Sequence, residues 1–532
     1  MEVHVNVWLW PSLVAILLYF SGSAIRFLLS TRRPHNFPPG PPSILGLGNL
    51  HQVPPKHPFL QFHEWFQTYG DIVGIKLGPK NVVLLNNPMH AQELFARRAT
   101  KYSGRPQNPF LSDFVLKPQH PSWFTLNYDS RFKKWRTAAR HILSPEGINR
   151  AGPVQSALAA RFLHELLQDP SCWTGSSRRW ALGFALVSVY GQTLDKCQPG
   201  FSDEYFRVQH DFLEILEPNN APPIEIFPIL RYVPSFLAKW KHRTSVLREK
   251  LYNVYDTNLE GAKVLFRTES YQHEPLVPHL LRKREMGDKL SMSDDELTLF
   301  AGGLLEGAVD TTLSALSSVL LCLTAHPEVM RRAQAEIDER CGNRFPGFGD
   351  MEQLPYMKAC VLEVFRWRGA VQFSLPHLVT EDDVFEGYYI PRGTTVLGST
   401  YSMHLRTEDF DQPQQFNPER YMHNPYGVRR APSDMGERRK PIYSFGVGRR
   451  ACAGEDLAWT MVLMMTTRVI WAFDCVVEGK IDLSWDTGYS AGVVNAPRNF
   501  NPRLKLRINS IGAEIEREFA ASEAYLAVQG LM

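Results

Sequence analysis

The start of the chain carries its most uniform hydrophobic run. Almost every side chain from Trp8 to Leu29 is apolar, and a helix of that length, rising about 1.5 Å per residue, would span a bilayer core. No Lys or Arg precedes Arg26, whereas Arg32 and Arg33 follow the run. Because positive charge tends to stay on the cytoplasmic side of a membrane, the pattern predicts a single-pass anchor with the rest of the chain in the cytosol.

A cleaved signal peptide is the alternative, since the small residues 21–24 could form a cleavage site. The run has no basic segment before it and continues past these residues, so we favour a permanent anchor over residues 1–31. Residues 32–58 are basic and rich in proline. Their run Phe37–Pro42 predicts a stiff, extended spacer, although such a run is also a ligand type for proline-binding domains. We interpret residues 59–532 as the globular domain.

Beyond Phe59 the apolar positions mostly follow a helical period. Two runs of strand character, Ile72–Leu77 and Val82–Leu85, flank a Gly-Pro turn and predict a hairpin. A second group of short strands is predicted within Val384–Val396. The pattern therefore predicts a mainly α fold with small β-sheets.

The longest predicted helix runs from Ser293 to about Ala325. Ser293 and Glu296 form a capping-box pattern, and Pro327 ends the helix. This helix is apolar on nearly all sides, so we expect it in the centre of the domain. It contains the polar and small residues 306–312 (EGAVDTT). From the pattern alone, satisfied core polar groups are the commoner explanation for such a segment.

Composition narrows the possible functions. A net charge of +3 over 532 residues is too small for a protein that holds nucleic acid by bulk charge, so no nucleic-acid partner is expected. The seven cysteines are odd in number, scattered and never in a CxxC arrangement. This argues against a disulfide framework and a zinc module, and favours a reducing compartment.

One of these cysteines, Cys452, stands in a loop with several glycines before a strong helical pattern from Glu455 to Phe473. A sulfur at a helix N-terminus is stabilised as thiolate, and glycines let the loop pass close to a flat ligand. A buried structural cysteine is the common alternative for a lone thiol. The loop makes Cys452 a candidate metal ligand.

The loop resembles the cysteine loop of the cytochrome P450 superfamily. The family pattern Phe-x-x-Gly-x-Arg-x-Cys-x-Gly is matched at all five fixed positions, by Phe445, Gly448, Arg450, Cys452 and Gly454. The resemblance implies the cytochrome P450 fold, with haem b bound through Cys452 to its iron. It implies a haem-thiolate monooxygenase, an oxidoreductase that incorporates molecular oxygen.

Two further motifs carry the resemblance. Glu363-x-x-Arg366 on a predicted helix, with Arg420, is similar to the structural triad of the family. The segment 307–312 is similar to its oxygen-activation pattern, which implies proton delivery by Thr311 and Asp310. Here Ala308 stands where the family usually has glycine, and its methyl group narrows the oxygen groove.

The resemblance also implies haem propionate contacts from Arg450, His377 and Trp135. The family usually shows Trp-x-x-x-Arg at the last of these. Four residues after Trp135 stands Ala139, with arginine at the first and fifth positions instead, so the arginine is left open. The basic residues 133–140 either form a patch for an acidic electron donor or are a solvated face.

As a member of this family, the protein would take electrons from NADPH through NADPH-cytochrome P450 reductase, with cytochrome b5 as a second donor. It would sit in the endoplasmic reticulum membrane with its catalytic domain in the cytosol. The resemblance places substrate contacts at 103–123, 300–306, 371–375 and 489–494, with Glu306 or Gln372 orienting a polar group. These segments are largely apolar and aromatic, so we expect a lipophilic or aromatic small molecule.

The C-terminal pattern from Gly512 to Leu526 is similar to extensions in fungal secondary-metabolite members of the family. Two other functions compete with the monooxygenase. One is a haem-thiolate isomerase, dehydratase or peroxygenase that needs no reductase, and the other is a non-enzymatic membrane-anchored haem sensor. The oxygen-activation residues Asp310 and Thr311 argue against both.

Overall fold

Helices dominate the structure, as the sequence pattern predicts. The computed structural model describes residues 9–117, 122–217, 220–225, 227–268, 274–429, 439–477 and 479–531. The chain divides into two compact units, which are taken in turn. The first comprises Met1–Pro106 and Leu375–Ser399, and the second comprises Gln107–Ser374 and Thr400–Met532.

The described residues of the first unit form four α-helices and two small sheets. Its elements are α1 (Leu9–Ser30), α2 (Pro58–Tyr69), β1 (Ile72–Leu77), β2 (Lys80–Leu85), α3 (Pro88–Gln92), α4 (Ala99–Tyr102), β3 (His377–Leu378), β4 (Asp383–Phe385), β5 (Tyr388–Ile390) and β6 (Thr395–Gly398). The sheet order is β1-β2-β6-β3, and β4 pairs with β5. The register of β1 and β2 is antiparallel, with Ile72 opposite Leu85. Both predicted strand groups are therefore present.

Helix α1 contains Ser12–Ser30, which is long and apolar enough to cross a membrane. Its side chains are exposed, with Leu17 at 65% and Leu18 at 68%. Trp8, the predicted first residue of the run, lies outside the described residues. The C-terminal end of α1 is fixed, because the Lys76 ammonium donates to the Ser30 carbonyl at 2.8 Å.

The proline segment after α1 packs against β1. Phe37 is buried, and the Gly74 amide donates to the Pro39 carbonyl at 2.7 Å. The Asn49 side chain donates to the Pro41 carbonyl at 3.1 Å. Because its backbone takes part in these hydrogen bonds, this part of the predicted spacer is built into the first unit.

The second unit holds most of the helices. Its elements are α5 (Ser130–Leu143), α6 (Pro145–Gln168), α7 (Trp173–Tyr190), α8 (Phe201–Leu216), α9 (Lys239–Thr268), α10 (Leu276–Glu285), α11 (Asp294–Ala325), α12 (Pro327–Cys341), α13 (Pro355–Trp367), α14 (Thr400–His404), α15 (Glu419–His423), α16 (Glu455–Ala472), β7 (Phe473–Val476), α17 (Trp485–Gly488), β8 (Arg503–Leu506) and α18 (Asn509–Val528). Strands β7 and β8 pair antiparallel.

Helix α11 lies at the centre of this unit, as its apolar pattern predicts. The Ser293 hydroxyl accepts from the Glu296 amide at 3.2 Å and caps its first turn. Helices α7, α9, α13 and α16 pack around it. Burial on nearly all sides follows from a sequence with no polar stripe to face water.

The C-terminal helix α18 packs along α6. The ring of Phe519 stacks on His164 with centroids 3.8 Å apart, and Glu523 pairs with Arg161. Just beyond α18, the Leu531 carbonyl accepts from the Thr193 hydroxyl at 2.5 Å. The extension is longer than the predicted pattern and is part of the second unit.

Candidate active site

The Cys452 loop turns back on itself before α16 begins. Gly446 and Gly448 have φ of 72° and 74°, a left-handed conformation that residues with a side chain rarely adopt. The Cys452 amide donates to the Phe445 carbonyl at 2.8 Å and closes the turn. The fixed glycine at 448 is therefore required by the backbone, and the turn presents Cys452 as an exposed, free cysteine.

Cys452 reaches the surface as a residue, yet nearby protein atoms desolvate its sulfur. Burial raises the pKa of the thiol, while the Gly454 amide and the charges of Arg136 and Lys440 act in the opposite direction. Contrary to the expectation from the helix N-terminus alone, the environment without a metal ion favours the thiol over the thiolate. A coordinated metal ion removes that proton outright, so the site suits a sulfur that ionises on binding iron.

Helix α11 is open at one point. Gly307 and Ala308 are exposed although their neighbours in the helix are buried, and within the described chain a methyl group added to Gly307 would meet nothing within 4 Å. The Thr311 hydroxyl donates to the Gly307 carbonyl at 2.7 Å. Thr311 and the two small residues therefore border a space that another group can enter.

Asp310, the second predicted proton-delivery residue, is largely buried. One carboxylate oxygen, Oδ2, has no hydrogen-bond partner among the described residues. Burial raises the pKa of Asp310, whereas a hydrogen bond from Gln209 and the charges of Arg178 and His210 lower it. A carboxyl group with a raised pKa and an unused oxygen is suited to taking up and releasing a proton.

The three residues of the predicted triad are in contact. Arg366 donates to Glu363 through two nitrogens, at 2.7 and 2.8 Å, and Arg420 lies 3.0 Å from the same carboxylate. The side chains of Glu363 and Arg366 are wholly buried. Arg366 also donates to the carbonyls of His404 and Pro413 at 2.8 and 2.9 Å. A buried charge pair satisfied in this way fixes backbone positions.

Two residues that sequence analysis missed join this cluster to the cysteine loop. His404 is buried, and its Nε2 accepts from the Tyr443 amide at 2.8 Å. Burial and the nearby arginines lower its pKa to about 3, so the ring stays neutral and able to accept. The Ser444 hydroxyl donates to the Phe365 carbonyl at 2.7 Å. No local motif marks either residue.

Helix α5 presents Arg136, one of the two arginines left open by the sequence, to the loop. The Trp135 indole N–H donates to Glu296 at 2.8 Å, so it points to α11. Arg136 donates to the Ala451 carbonyl at 2.6 Å, and the Arg450 guanidinium lies 4.1 Å above the Phe132 ring. Phe132 and Arg136 are four residues apart on one helix face, and this spacing could have identified Phe132 as well.

His377 belongs to the first unit, where it is buried in β3. Its Nδ1 lies 2.8 Å from the Tyr102 carbonyl and must donate to it, while its ring stacks on Phe95 at 3.9 Å. These contacts fix the ring orientation. A contact between His377 and a haem propionate stays a prediction.

Glu306 and Gln372, which were predicted to orient a polar group of the substrate, form hydrogen bonds with other residues of the protein. Tyr255 donates its hydroxyl proton to Glu306, and the Gln372 amide donates to the Gly369 carbonyl at 2.5 Å. Residues 118–121 of the predicted substrate loop lie outside the described part of the chain. Its last residue, Trp123, lies against Phe300 with ring centroids 5.6 Å apart.

The donors present fit a haem. A haem-thiolate site needs a sulfur ligand, cationic partners for the propionates and room for a flat ring. Cys452 offers a free thiol, Arg450 and Arg136 flank the loop, and the opening at Gly307 leaves space beside α11.

Comparison with known proteins agrees with this geometry. The profile of the family "Cytochrome P450" matches residues 38–501. The chain is 33% identical to cytochrome P450 monooxygenase grgG of a Penicillium species, over 92% of this chain and 91% of the relative. It is 31% identical to cytochrome P450 monooxygenase drtD of Aspergillus calidoustus, over 97% and 95%.

A solved structure shows the same fold. A zebrafish cytochrome P450 bound to abiraterone superposes with a TM-score of 0.66 at 22% identity, over 85% of this chain and all of that chain. The resemblance seen in the cysteine loop is thus confirmed over nearly the whole sequence. The chain belongs to the cytochrome P450 family and is a haem-thiolate monooxygenase of that family.

Proposed function

We propose that the protein inserts one oxygen atom from dioxygen into a lipophilic or aromatic small molecule of fungal secondary metabolism. The observation that carries the proposal is the exposed Cys452 thiol, presented by a glycine turn at the start of α16. The monooxygenases of Penicillium and Aspergillus that match almost the full chain support the fungal assignment.

Haem, when bound, supplies the redox chemistry, and a thiolate ligand favours cleavage of the bond between the two oxygen atoms. Cys452 would hold the iron, and Arg450 with Arg136 would neutralise the propionates. The remaining proposed haem contacts are Trp135, His377, Phe445, Gly448 and Gly454. The position of the Cys452 loop would be fixed by the buried cluster of Glu363, Arg366 and Arg420.

Thr311 and Asp310 would handle protons at the open face of α11. Asp310 has an unused oxygen and a raised pKa, and it adjoins Thr311 in sequence. The Thr311 hydroxyl, now bonded to the Gly307 carbonyl, can rotate to bind a water or an oxygen substrate. Oxygen cleavage needs protons in a place closed to bulk solvent, which favours a monooxygenase over an isomerase or dehydratase.

Contacts among the proposed substrate segments support an apolar substrate. Trp123 and Phe300 lie against each other. The Asn495 amide donates to the Ala370 carbonyl at 2.8 Å, and the Asn495 carbonyl accepts from the Ser314 hydroxyl at 2.6 Å. All four predicted segments, or their direct neighbours, thus have a residue at α11 or beside one another. With Glu306 and Gln372 engaged elsewhere, apolar and aromatic groups are left to recognise the substrate.

The proposed electron donor is an acidic reductase, with cytochrome b5 as a second donor. Three cations share the Tyr128 ring next to the cysteine loop: Lys133 and Arg449 at 5.2 Å and Arg450 at 5.7 Å. Lys134 of the same predicted patch is paired with Glu296. The exposed Lys133 and Arg449 therefore form the positive surface that a partner would meet.

Reversing both of these charges tests whether the reductase docks on this surface. We expect Lys133→Glu with Arg449→Glu to slow reductase-driven haem reduction roughly tenfold or more at low salt, because electrostatic steering is lost. Chemical reduction by dithionite should be unchanged, and Lys505→Glu on β8 is the matched control. Equal reductase-driven rates in both variants would exclude this surface as the docking site.

Membrane attachment through α1, with the catalytic part facing the cytosol at the endoplasmic reticulum, is the proposed localisation. The exposed apolar side chains of α1 support it. The second unit carries another exposed apolar group, formed by Phe227, Ile229, Tyr232, Phe236 and Leu237. Lysines 239 and 241 follow it directly, and this mixture suits the headgroup region of an anionic membrane.

Co-expression with a fungal reductase, followed by metabolite profiling, tests the function. The full chain should yield an oxidised product, and Cys452→Ala should lose both that product and the thiolate Soret band of the reduced carbon-monoxide complex. Retention of that band by Cys452→Ala would refute the site. Turnover with peroxide and no need of reductase would establish the peroxygenase alternative, and haem binding without any oxidation would favour a sensor.

A further inference from the structure

Helix α11 carries a second buried acid, one turn before Asp310. Glu306 is 8% exposed, and its carboxyl accepts a hydrogen bond from the Tyr255 hydroxyl of α9. Gly302 makes this contact possible, because a methyl group there would lie 2.7 Å from the Tyr255 ring. Residues four apart in a helix share a face, so Glu306 and Asp310 lie on the same side of α11.

Three tyrosines from three other helices lie near Glu306. Besides Tyr255, Tyr190 of α7 and Tyr205 of α8 lie close enough for the Glu306 charge to affect their pKa values. Tyr205 donates to the Leu305 carbonyl at 3.3 Å. The Tyr190 hydroxyl is fully buried and has no hydrogen-bond partner within the described chain.

The two acids differ in their neighbours. Arg178 and His210 act on Asp310 and favour its ionised form. Glu306 has the Tyr255 hydroxyl on one side and the Asp310 charge on the other, and burial raises its pKa to about 7. Glu306 therefore holds a proton under conditions in which Asp310 has cations to support its negative charge.

We propose that Glu306 stores a proton and returns it to Asp310 after Asp310 has released its own toward Thr311. In this step the Glu306 O–H bond breaks and an Asp310 O–H bond forms, leaving Glu306 as carboxylate and Asp310 neutral. Gln209 contacts both residues, since its amide donates to the Asp310 side chain and to the backbone carbonyl of Glu306, the latter at 3.5 Å. This role rests on the proposed function of Asp310 and Thr311.

The variant Glu306→Gln distinguishes the loss of a stored proton from a change in packing around the side chain. Glutamine has the same length and still accepts from Tyr255, but it cannot release a carboxyl proton. Tyr255→Phe is the complementary variant, since it removes the hydroxyl and leaves the acid. Asp295→Asn is the control, because Asp295 is an exposed acid in the first turn of the same helix.

Infrared spectroscopy of the haem-loaded protein gives a readout that does not depend on activity. Wild type should show a carboxylic-acid band that shifts in D2O and disappears as the pH rises through about 7. Glu306→Gln should lack it, and Asp295→Asn should keep it. A wild-type spectrum identical to that of Glu306→Gln would overturn the proposal.

The second readout is the fate of oxygen when reductase and NADPH are supplied without substrate. Glu306→Gln should raise the ratio of hydrogen peroxide to water formed by roughly tenfold at neutral pH, as expected for loss of a general acid. At higher pH wild type should approach the variant. If Glu306→Gln leaves this ratio unchanged while Thr311→Ala raises it, proton storage by Glu306 is refuted and the proposed role of Thr311 stands. No change in Thr311→Ala would refute the proposed oxygen-activation site itself.

Discussion

Two helices in the described part of the chain have the length and apolar composition of a membrane span, yet they occupy opposite environments. Helix α1 exposes its side chains, such as Leu18 at 68%, whereas α11 buries most of its own, such as Leu320 at 1%. The difference between them lies in the residues that interrupt the apolar run. Ser12–Ser30 contains no acid, while α11 carries Glu306 and Asp310 near its middle.

Apolar composition thus indicates only that a helix must avoid water, and the polar residues decide what it contacts instead. An acid at the centre of a membrane helix costs about 3 kcal/mol, because lipid offers it no partner. Inside α11, Glu306 has the Tyr255 hydroxyl and Asp310 has Gln209. The acids therefore mark α11 as a core helix whose neighbours are protein.

A lysine placed in each helix should give the largest contrast. Leu320→Lys buries an unpaired charge in α11, which costs more than about 4 kcal/mol. We expect no recoverable haem-loaded protein, measured by the carbon-monoxide difference spectrum of the expressed membranes.

Leu18→Lys in α1 is the matched change. It should leave that spectrum and the melting temperature of the detergent-purified protein unchanged, while membrane partitioning weakens by about 3 kcal/mol. The comparison fails if Leu18→Lys also abolishes the folded protein, or if Leu320→Lys is tolerated.

The buried acid of α11 predicts a pH dependence that α1 does not have. The folded pKa of Glu306 is about 7 against 4.5 for the free group, so the folded state holds a proton that the unfolded state has lost. The contribution of this proton to the free energy of unfolding is fully present below about pH 4.5. It is lost as the pH rises through 7, which lowers the free energy of unfolding by roughly 3 kcal/mol. Glu306→Gln should remove this part of the decline.

Urea unfolding of wild type and Glu306→Gln at about pH 5 and about pH 8 measures this difference. The variant should gain stability relative to wild type at the higher pH only. A constant difference between the two proteins across this range would mean that Glu306 does not titrate there.

Two glycines of α11 allow a smaller and more local test. A methyl group at Gly303 would overlap the Trp123 ring, whereas one at Gly307 would meet no atom of the described chain within 4 Å. Gly303→Ala should cost about 1–3 kcal/mol through overpacking. Gly307→Ala should stabilise the unliganded protein by up to about 1 kcal/mol, because alanine favours helix.

Thermal melting without added substrate compares the two variants. Turnover should be impaired in Gly307→Ala despite its stability, because the added methyl group occupies the space beside Thr311. A destabilised Gly307→Ala would show that this face of α11 is closed.

Features set by short stretches of sequence could be predicted. The ends of α11, the β1–β2 hairpin and the Glu363–Arg366 pair all depend on residues a few positions apart. The Cys452 loop belongs to the same class, since its glycines are needed by one turn of backbone.

Features set by distant contacts could not be predicted. The hydrogen bond between His404 and Tyr443 joins residues 39 positions apart, and no sequence motif near either residue indicates it. On α5 the sequence left open which arginine meets the loop: successive residues point about 100° apart, so Trp135 faces α11 while its neighbour Arg136 faces the loop. Motif spacing alone does not fix that phase.

The link between Lys76 and the end of α1 has a mechanical consequence. The buried ammonium donates to Ser30, to Pro79 and to Asn81, each at 2.8 Å, and so clamps the last turn of the proposed anchor to the β1–β2 turn. A change in the direction of α1 is therefore passed on to the β1–β2 turn through these hydrogen bonds. Because bilayer thickness governs the tilt of a membrane helix, a change in thickness that tilts the proposed anchor would also tilt the β1–β2 hairpin bonded to its last turn.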